Sequence, residues 1–323
     1  MSLTKTYKPA NGTLTGHGDY RYRVDHDWHQ DASIPVEDCH EMVQAPDGRL
    51  FLLTNHTRNN VLVYDKSGKV LGSWGSEYPG AHGLTLSTEG SESLLWITDE
   101  KTGAVNKHTL DGRKVLSLDY PAASGYYNDV SEYKPTETTV APDGSVFVAD
   151  GYGKNYVHRY SATGEYMSSF GGSGNGPAHL DCAHGVTLDT RTPTPTLLVT
   201  SRSEQRFKRY SLDGKLLATY ETPGLWICRP VIAGDLTLFA VIVTDTWYGY
   251  DGMLAIFDRD MRLVSAPGSQ DETIRYDGGK PVTPRSDEMT FLNPHDVCVD
   301  DEGSLYVPQW YSGRTYPVKL TRV

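Results

Sequence analysis

The chain has 323 residues and a formal charge of −11, from 30 basic and 41 acidic side chains. That negative excess repels phosphate, so it argues against a nucleic-acid or anionic-membrane partner and leaves a small-molecule substrate as the expectation. Glycine is abundant, tyrosine outnumbers phenylalanine 21 to 7 and mean hydropathy is −0.47, which points to many short strands and turns rather than a helical bundle.

Residues 1–18 lack a basic flank followed by an apolar run. No stretch approaches the roughly 18 uninterrupted apolar residues of a membrane span, so neither a signal peptide nor a span is expected. The four cysteines, Cys39, Cys182, Cys228 and Cys298, are widely scattered. They read as free buried thiols in a reducing, cytoplasmic compartment.

One module recurs along the chain. Its first full copy, residues 43–75, opens on Met42-Val43-Gln44-Ala45, turns at Pro46-Asp47-Gly48, and continues through strands 50–54, 61–64 and 70–74. Alternation and β-branched or aromatic content mark the strands, and Gly turns mark the breaks. Further copies cover 82–118, 136–170, 184–220 and 229–264, with third-strand turns at Lys66-Ser67-Gly68, Leu110-Asp111-Gly112, Ala162-Thr163-Gly164 and Leu212-Asp213-Gly214. A last copy starting at His295 has room for only three strands, and Tyr20-Arg21-Tyr22-Arg23-Val24 can supply the fourth. The expectation is an all-β, six-bladed propeller forming a single domain over 1–323, its last blade closed by the N-terminal strand. Residues 1–17 read as an extension, and 121–134 and 267–290 as long loops of the kind that often become lids.

In a propeller the first residue of each inner strand sits at one rim of the channel, here His40, His82, Thr136, His184, Arg229 and His295. The antiparallel second strand returns to the same rim at Asn55, Asp99, 150–152, Ser201-Arg202, Asp245 and Gln309-Trp310. His82, His184 and His295 fall on alternate modules and can converge on the axis. Three neutral imidazoles with an open position suit catalytic zinc, although iron, copper or cobalt accept the same set. His40 breaks the alternate spacing and reads as a second-shell donor in preference to a fourth ligand or a general base, while His26 and His29 lie towards the outside of the disc.

Asp296 points away from His295 by strand alternation and, inside a channel wall, needs a partner. A structural calcium held with backbone carbonyls would serve, as would a backbone amide or a water. Near a metal, Tyr152 can act as an acid or base and Arg202 can clamp an anionic group.

These residues resemble a family. The run from Asp150-Gly151-Tyr152 through Phe170-Gly171, Gly176-Pro177 and His184 is similar to the NHL-type propeller of the peptidyl-α-hydroxyglycine α-amidating lyases. The resemblance implies zinc on His82, His184 and His295. It also implies calcium on Asp296 with the carbonyls of Met42 and Leu84, an active-site Tyr152, and Arg202 as one active-site arginine. Asn55 stands where the family has its other arginine, with Arg58 three residues on. His40 replaces a small residue, and Gly153 replaces a disulfide cysteine, which fits a non-secreted relative.

The expected activity is a zinc-dependent lyase acting on a small oxygenated, anionic substrate, with carbinolamide-type C–N cleavage as the version the resemblance implies. His40, Asn55, Arg58, Arg229 and Trp310 are the expected substrate-binding or second-shell residues. A metal-dependent hydrolase or lactonase and a non-catalytic NHL-type binding propeller are the alternatives, and a monomer is expected because ring closure needs no second chain.

Overall fold

The computed structural model describes residues 11–244, 251–287 and 289–323; Asp245, one of the expected rim residues, lies outside them. Among the described residues, six antiparallel sheets of four or five strands follow one another around an axis with the strand orders of a six-bladed propeller, and a separate two-stranded sheet, Tyr276–Asp277 with Lys280–Pro281, lies in the 267–290 segment. Blade 1 is Cys39–Gln44, Leu50–Thr54, Val61–Tyr64 and Val70–Trp74, so three of its four strands have the boundaries expected from sequence. Blades 2, 3 and 4 repeat the pattern from inner strands Ala81–Glu89, Glu137–Val140 and Val186–Asp189.

Burial explains the composition of the strands. Leu50–Thr54 and Val61–Tyr64 are wholly buried because each blade is sandwiched between two neighbours, whereas outer Val70–Trp74 is not. Among the described residues the buried apolar side chains form six clusters, one at each blade–blade interface. Phe51, Leu53 and Val61 of blade 1 meet Leu84, Leu95 and Ile97 of blade 2, for example.

Blade 5 departs from the pattern. Its inner strand is split into Leu225–Ile227 and Val231–Ala233, both paired with Leu236–Thr244. The break falls at Cys228-Arg229-Pro230, where proline has no N–H for the ladder.

Blade 6 contains Cys298–Val299, Leu305–Val307 and Val318–Arg322, and Tyr20–Asp25 closes it with Tyr22 opposite Arg322 and Val24 opposite Leu320. Part of the expected extension is also a strand. Leu14–His17 adds a fifth, outermost strand on Tyr20–Asp25. Thr15 Oγ1 accepts from the Gly268 amide at 2.7 Å and His17 Nδ1 from the Ala266 amide at 3.1 Å, which fastens blade 6 to blade 5.

Val24 is 1% exposed within the blade 5–blade 6 cluster, so Val24→Ala should lower the unfolding free energy by about 2 kcal/mol in urea titration. The same truncation at Leu71, 50% exposed on an outer strand, should change it by under about 0.5 kcal/mol.

Candidate metal centre and substrate cavity

The glycines after two of the rim histidines have a steric cause. A Cβ on Gly83 would stand 2.5 Å from the Thr136 carbonyl oxygen of blade 3, and one on Gly185 would stand 2.3 Å from Arg229 Cα of blade 5. The next inner strand passes too close for any side chain, so each histidine is followed by glycine where adjacent blades converge.

The three expected histidines do converge. Their ring centroids are 4.8 Å apart for His82–His184, 4.8 Å for His82–His295 and 4.9 Å for His184–His295. All three are buried, and burial holds each well below the usual histidine range, so the rings are neutral. The Nδ1–H of His82 donates to the Thr136 carbonyl at 2.8 Å, and that of His295 donates to the His40 carbonyl at 3.1 Å. A carbonyl can only accept, so the proton sits on Nδ1 and Nε2 carries the lone pair.

Among the described residues two donor groups have ligand atoms within 4.8 Å of one another: His40, His82 and His295, and His184, Cys228 and His295. His40 therefore stands among the donors, not behind them as its register suggested. Cys228, which read as an inert thiol, joins the second group; burial pushes it up to about 12, against the opposing influence of Arg202. Nδ1 of His40 and Nδ1 of His184 are buried without a hydrogen-bond partner. Neutral imidazoles with oriented lone pairs and orphaned nitrogens are a donor set that fits a divalent transition metal.

Tyr152 enters this cluster from blade 3. Its hydroxyl lies 3.2 Å from His82 Nε2 and 3.1 Å from His184 Nε2, and accepts from Arg202 Nη2 at 3.0 Å. The residue is 38% exposed. Burial pushes the phenol up to about 12, with Arg202 pulling the other way. Arg202, expected to clamp substrate, is 2% exposed and turned onto Tyr152 instead.

Above the cluster lies a cavity of about 440 Å³ lined by His40, His82, Tyr152, Asn55 and Trp310. Lys101, Lys134, Asp38 and Glu100 complete its polar wall. The two lysines were missed from sequence, although Lys101 follows Asp99 by two residues at the end of a second strand. Asn55 pairs with Asp38 through Oδ1, which accepts the Asp38 amide at 2.9 Å. Arg58 is exposed and does not line the cavity. Of the described residues of the two long segments, 121–134 and 267–290, only Lys134 lines it.

Arg229, expected to bind substrate or to stand behind the site, does not line the cavity, and its Nε lies 2.7 Å from Asp296 Oδ1. The expected calcium ligands, Asp296 and the carbonyls of Met42 and Leu84, all contact this guanidinium. As arranged, they do not fit a metal ion.

Comparison with known proteins gives the same resemblance as the sequence. No family model matches the chain. It is 23% identical over 273 residues to a probable peptidyl-alpha-hydroxyglycine alpha-amidating lyase of Caenorhabditis elegans, covering 80% of this chain and 70% of that protein. It is 33% identical to peptidyl-alpha-hydroxyglycine alpha-amidating lyase 1 of Drosophila melanogaster, over 75% of this chain and 45% of that protein. Human NHL repeat-containing protein 3 is 28% identical over 51% of this chain and 48% of its own length. The matched region thus spans about half the length of the Drosophila and human relatives. Among solved structures, a gluconolactonase from Xanthomonas campestris superposes with TM-score 0.62 at 15% identity, covering 98% of this chain and 99% of that one. A streptogramin B lyase superposes with TM-score 0.60 at 14% identity, covering 93% and 97%. At such identity the structures share the fold. The chain is an NHL-like six-bladed propeller that resembles the amidating lyases.

Asp150 anchors the loop that carries Tyr152, accepting from the Lys134 amide at 2.7 Å, the Lys154 amide at 2.6 Å and the Tyr127 hydroxyl at 2.6 Å. Burial nevertheless pushes it from 3.8 up to about 6. Because the folded value is raised, its contribution to stability is complete below the unfolded value and lost as pH rises through about 6. Wild-type stability minus that of Asp150→Asn, from urea midpoints, should therefore fall as pH rises from about 4 to about 7.

Proposed function

We propose that this chain is a metal-dependent lyase acting on a small anionic, oxygenated substrate, with zinc the expected ion. The observation that carries the reading is the Tyr152 hydroxyl, set between the Nε2 atoms of His82 and His184 and within 3.0 Å of Arg202, beneath a cavity of substrate size. His82, His184 and His295 would hold the ion, with His40 and Cys228 as the adjoining donors. Bound there, a divalent cation supplies Lewis acidity towards a substrate hydroxyl or carbonyl oxygen.

The protein's own groups divide the remaining tasks. Lys101 and Lys134 in the cavity wall attract a carboxylate, the task first expected of Arg202. Arg202 donates to the Tyr152 oxygen and favours its ionised form. Tyr152 is placed to take a proton from a carbinol hydroxyl and return one to the departing nitrogen. In that cleavage the O–H and C–N bonds break, a C=O bond forms and nitrogen gains the proton, so no oxidant or reductant is consumed. The similarity to amidating lyases supports this carbinolamide version.

His184→Ala should lose most of the bound transition metal by elemental analysis while keeping the circular dichroism of the folded propeller. Full metal content in that variant would refute the assignment of His184 as a ligand. With an N-acyl-α-hydroxyglycine as substrate, Tyr152→Phe should retain metal but lose about 10²-fold or more in kcat. If wild type instead opens lactones and leaves the carbinolamide untouched, the hydrolase alternative replaces this reading.

A further inference from the structure

The middle of the channel contains a second polar cluster, separate from the imidazoles. Arg229 Nε and Nη2 grip Asp296 at 2.7 and 2.8 Å, a bidentate pair. Nη1 donates to the Leu84 carbonyl at 2.9 Å and Nη2 to the Met42 carbonyl at 3.2 Å. Glu41 Oε2 lies 3.2 Å from Nη1, and Glu137 Oε2 lies 3.6 Å away. All three carboxylates are 1% exposed or less at the side chain.

One guanidinium thus touches inner-strand residues of blades 1, 2 and 3 and, in blade 6, Asp296 just ahead of the inner strand, while belonging to blade 5. Its oxygen partners are hard, anionic or carbonyl donors from several strands, the class that calcium selects. They include every ligand expected for a structural calcium. An ion with ligands at about 2.3–2.6 Å cannot share these atoms with a guanidinium that already bonds them. Arg229 sits in the break between Leu225–Ile227 and Val231–Ala233, outside the strand ladder.

We propose that Arg229 is a built-in cation standing in place of calcium at the propeller axis, so that this chain closes its ring without binding that ion. The guanidinium supplies positive charge and up to five donors in a fixed plane, where calcium would supply charge alone. This role is independent of the reaction proposed at the rim.

The test is thermal unfolding of the full chain, dialysed into calcium-free buffer, with and without about 1 mM CaCl2. Wild type should contain no stoichiometric calcium by elemental analysis, and its Tm should move by less than about 1 °C. Removing the charge in Arg229→Ala leaves buried carboxylates unpaired and should lower Tm by about 10 °C or more. Calcium should then restore part of that loss, and magnesium much less, because it demands a smaller octahedral site. Arg229→Lys, which keeps the charge with fewer donors, should be less stable than wild type and indifferent to calcium. Stoichiometric calcium in wild type, or a calcium-dependent Tm in wild type or Arg229→Lys, overturns the proposal. A folded Arg229→Ala that ignores calcium overturns it as well. If Arg229→Ala does not fold, the wild-type and Arg229→Lys measurements decide.

Discussion

Everything at the rim depends on the pairing of Tyr20–Asp25 with Val318–Arg322. The four clustered histidines come from blades 1, 2, 4 and 6, far apart in sequence, and no local segment holds any two of them together. Their separations exist because the circle of blades is complete. Leu14–His17 reinforces the seam by bonding across to blade 5, so closure is secured at both the backbone ladder and the outer surface.

The channel is polar along its length, but its two clusters solve opposite electrostatic problems. At the rim, burial keeps imidazoles uncharged with lone pairs directed inward, an arrangement that is short of positive charge and open to a cation. Deeper in, carboxylates are buried and the cation is covalently part of the chain. Opposite side-chain directions at His295 and Asp296 separate the two environments by one residue. Tyr152 belongs wholly to the first. Its hydroxyl is the point where an arginine and two imidazoles meet, and the residue borders the cavity.

Much of this arrangement was legible in the sequence, because it follows from period and register. The recurring Asp-Gly and Ser-Gly turns marked the blades, and counting from them placed His82, His184 and His295 at one rim and put Asp296 on the other side of its strand. What escaped notice depends on irregularity or on side-chain direction. Cys228 and Arg229 sit at a strand break that a period count passes over. Arg202 was assigned to the correct rim, but nothing in its register says that it turns towards Tyr152. Lys101 and Lys134 lie just beyond regular strands, where a position in sequence no longer fixes a position in space. Leu14–His17 is a strand whose partner lies inside the same hairpin, so the repeat period does not reveal it.

The contacts at Gly83 and Gly185 carry a consequence for how such a centre can vary. Where neighbouring backbones are already touching, the gap between donors is set by the angle subtended by each sheet, not by the loops that flank it. Blade number therefore acts as a ruler. A ring of five or seven such modules would hold the same side chains at a different radius, with a different appetite for ions. Change in this centre is accordingly confined to what hangs from the rim: donor identity, the tyrosine's tether and the charges around the mouth.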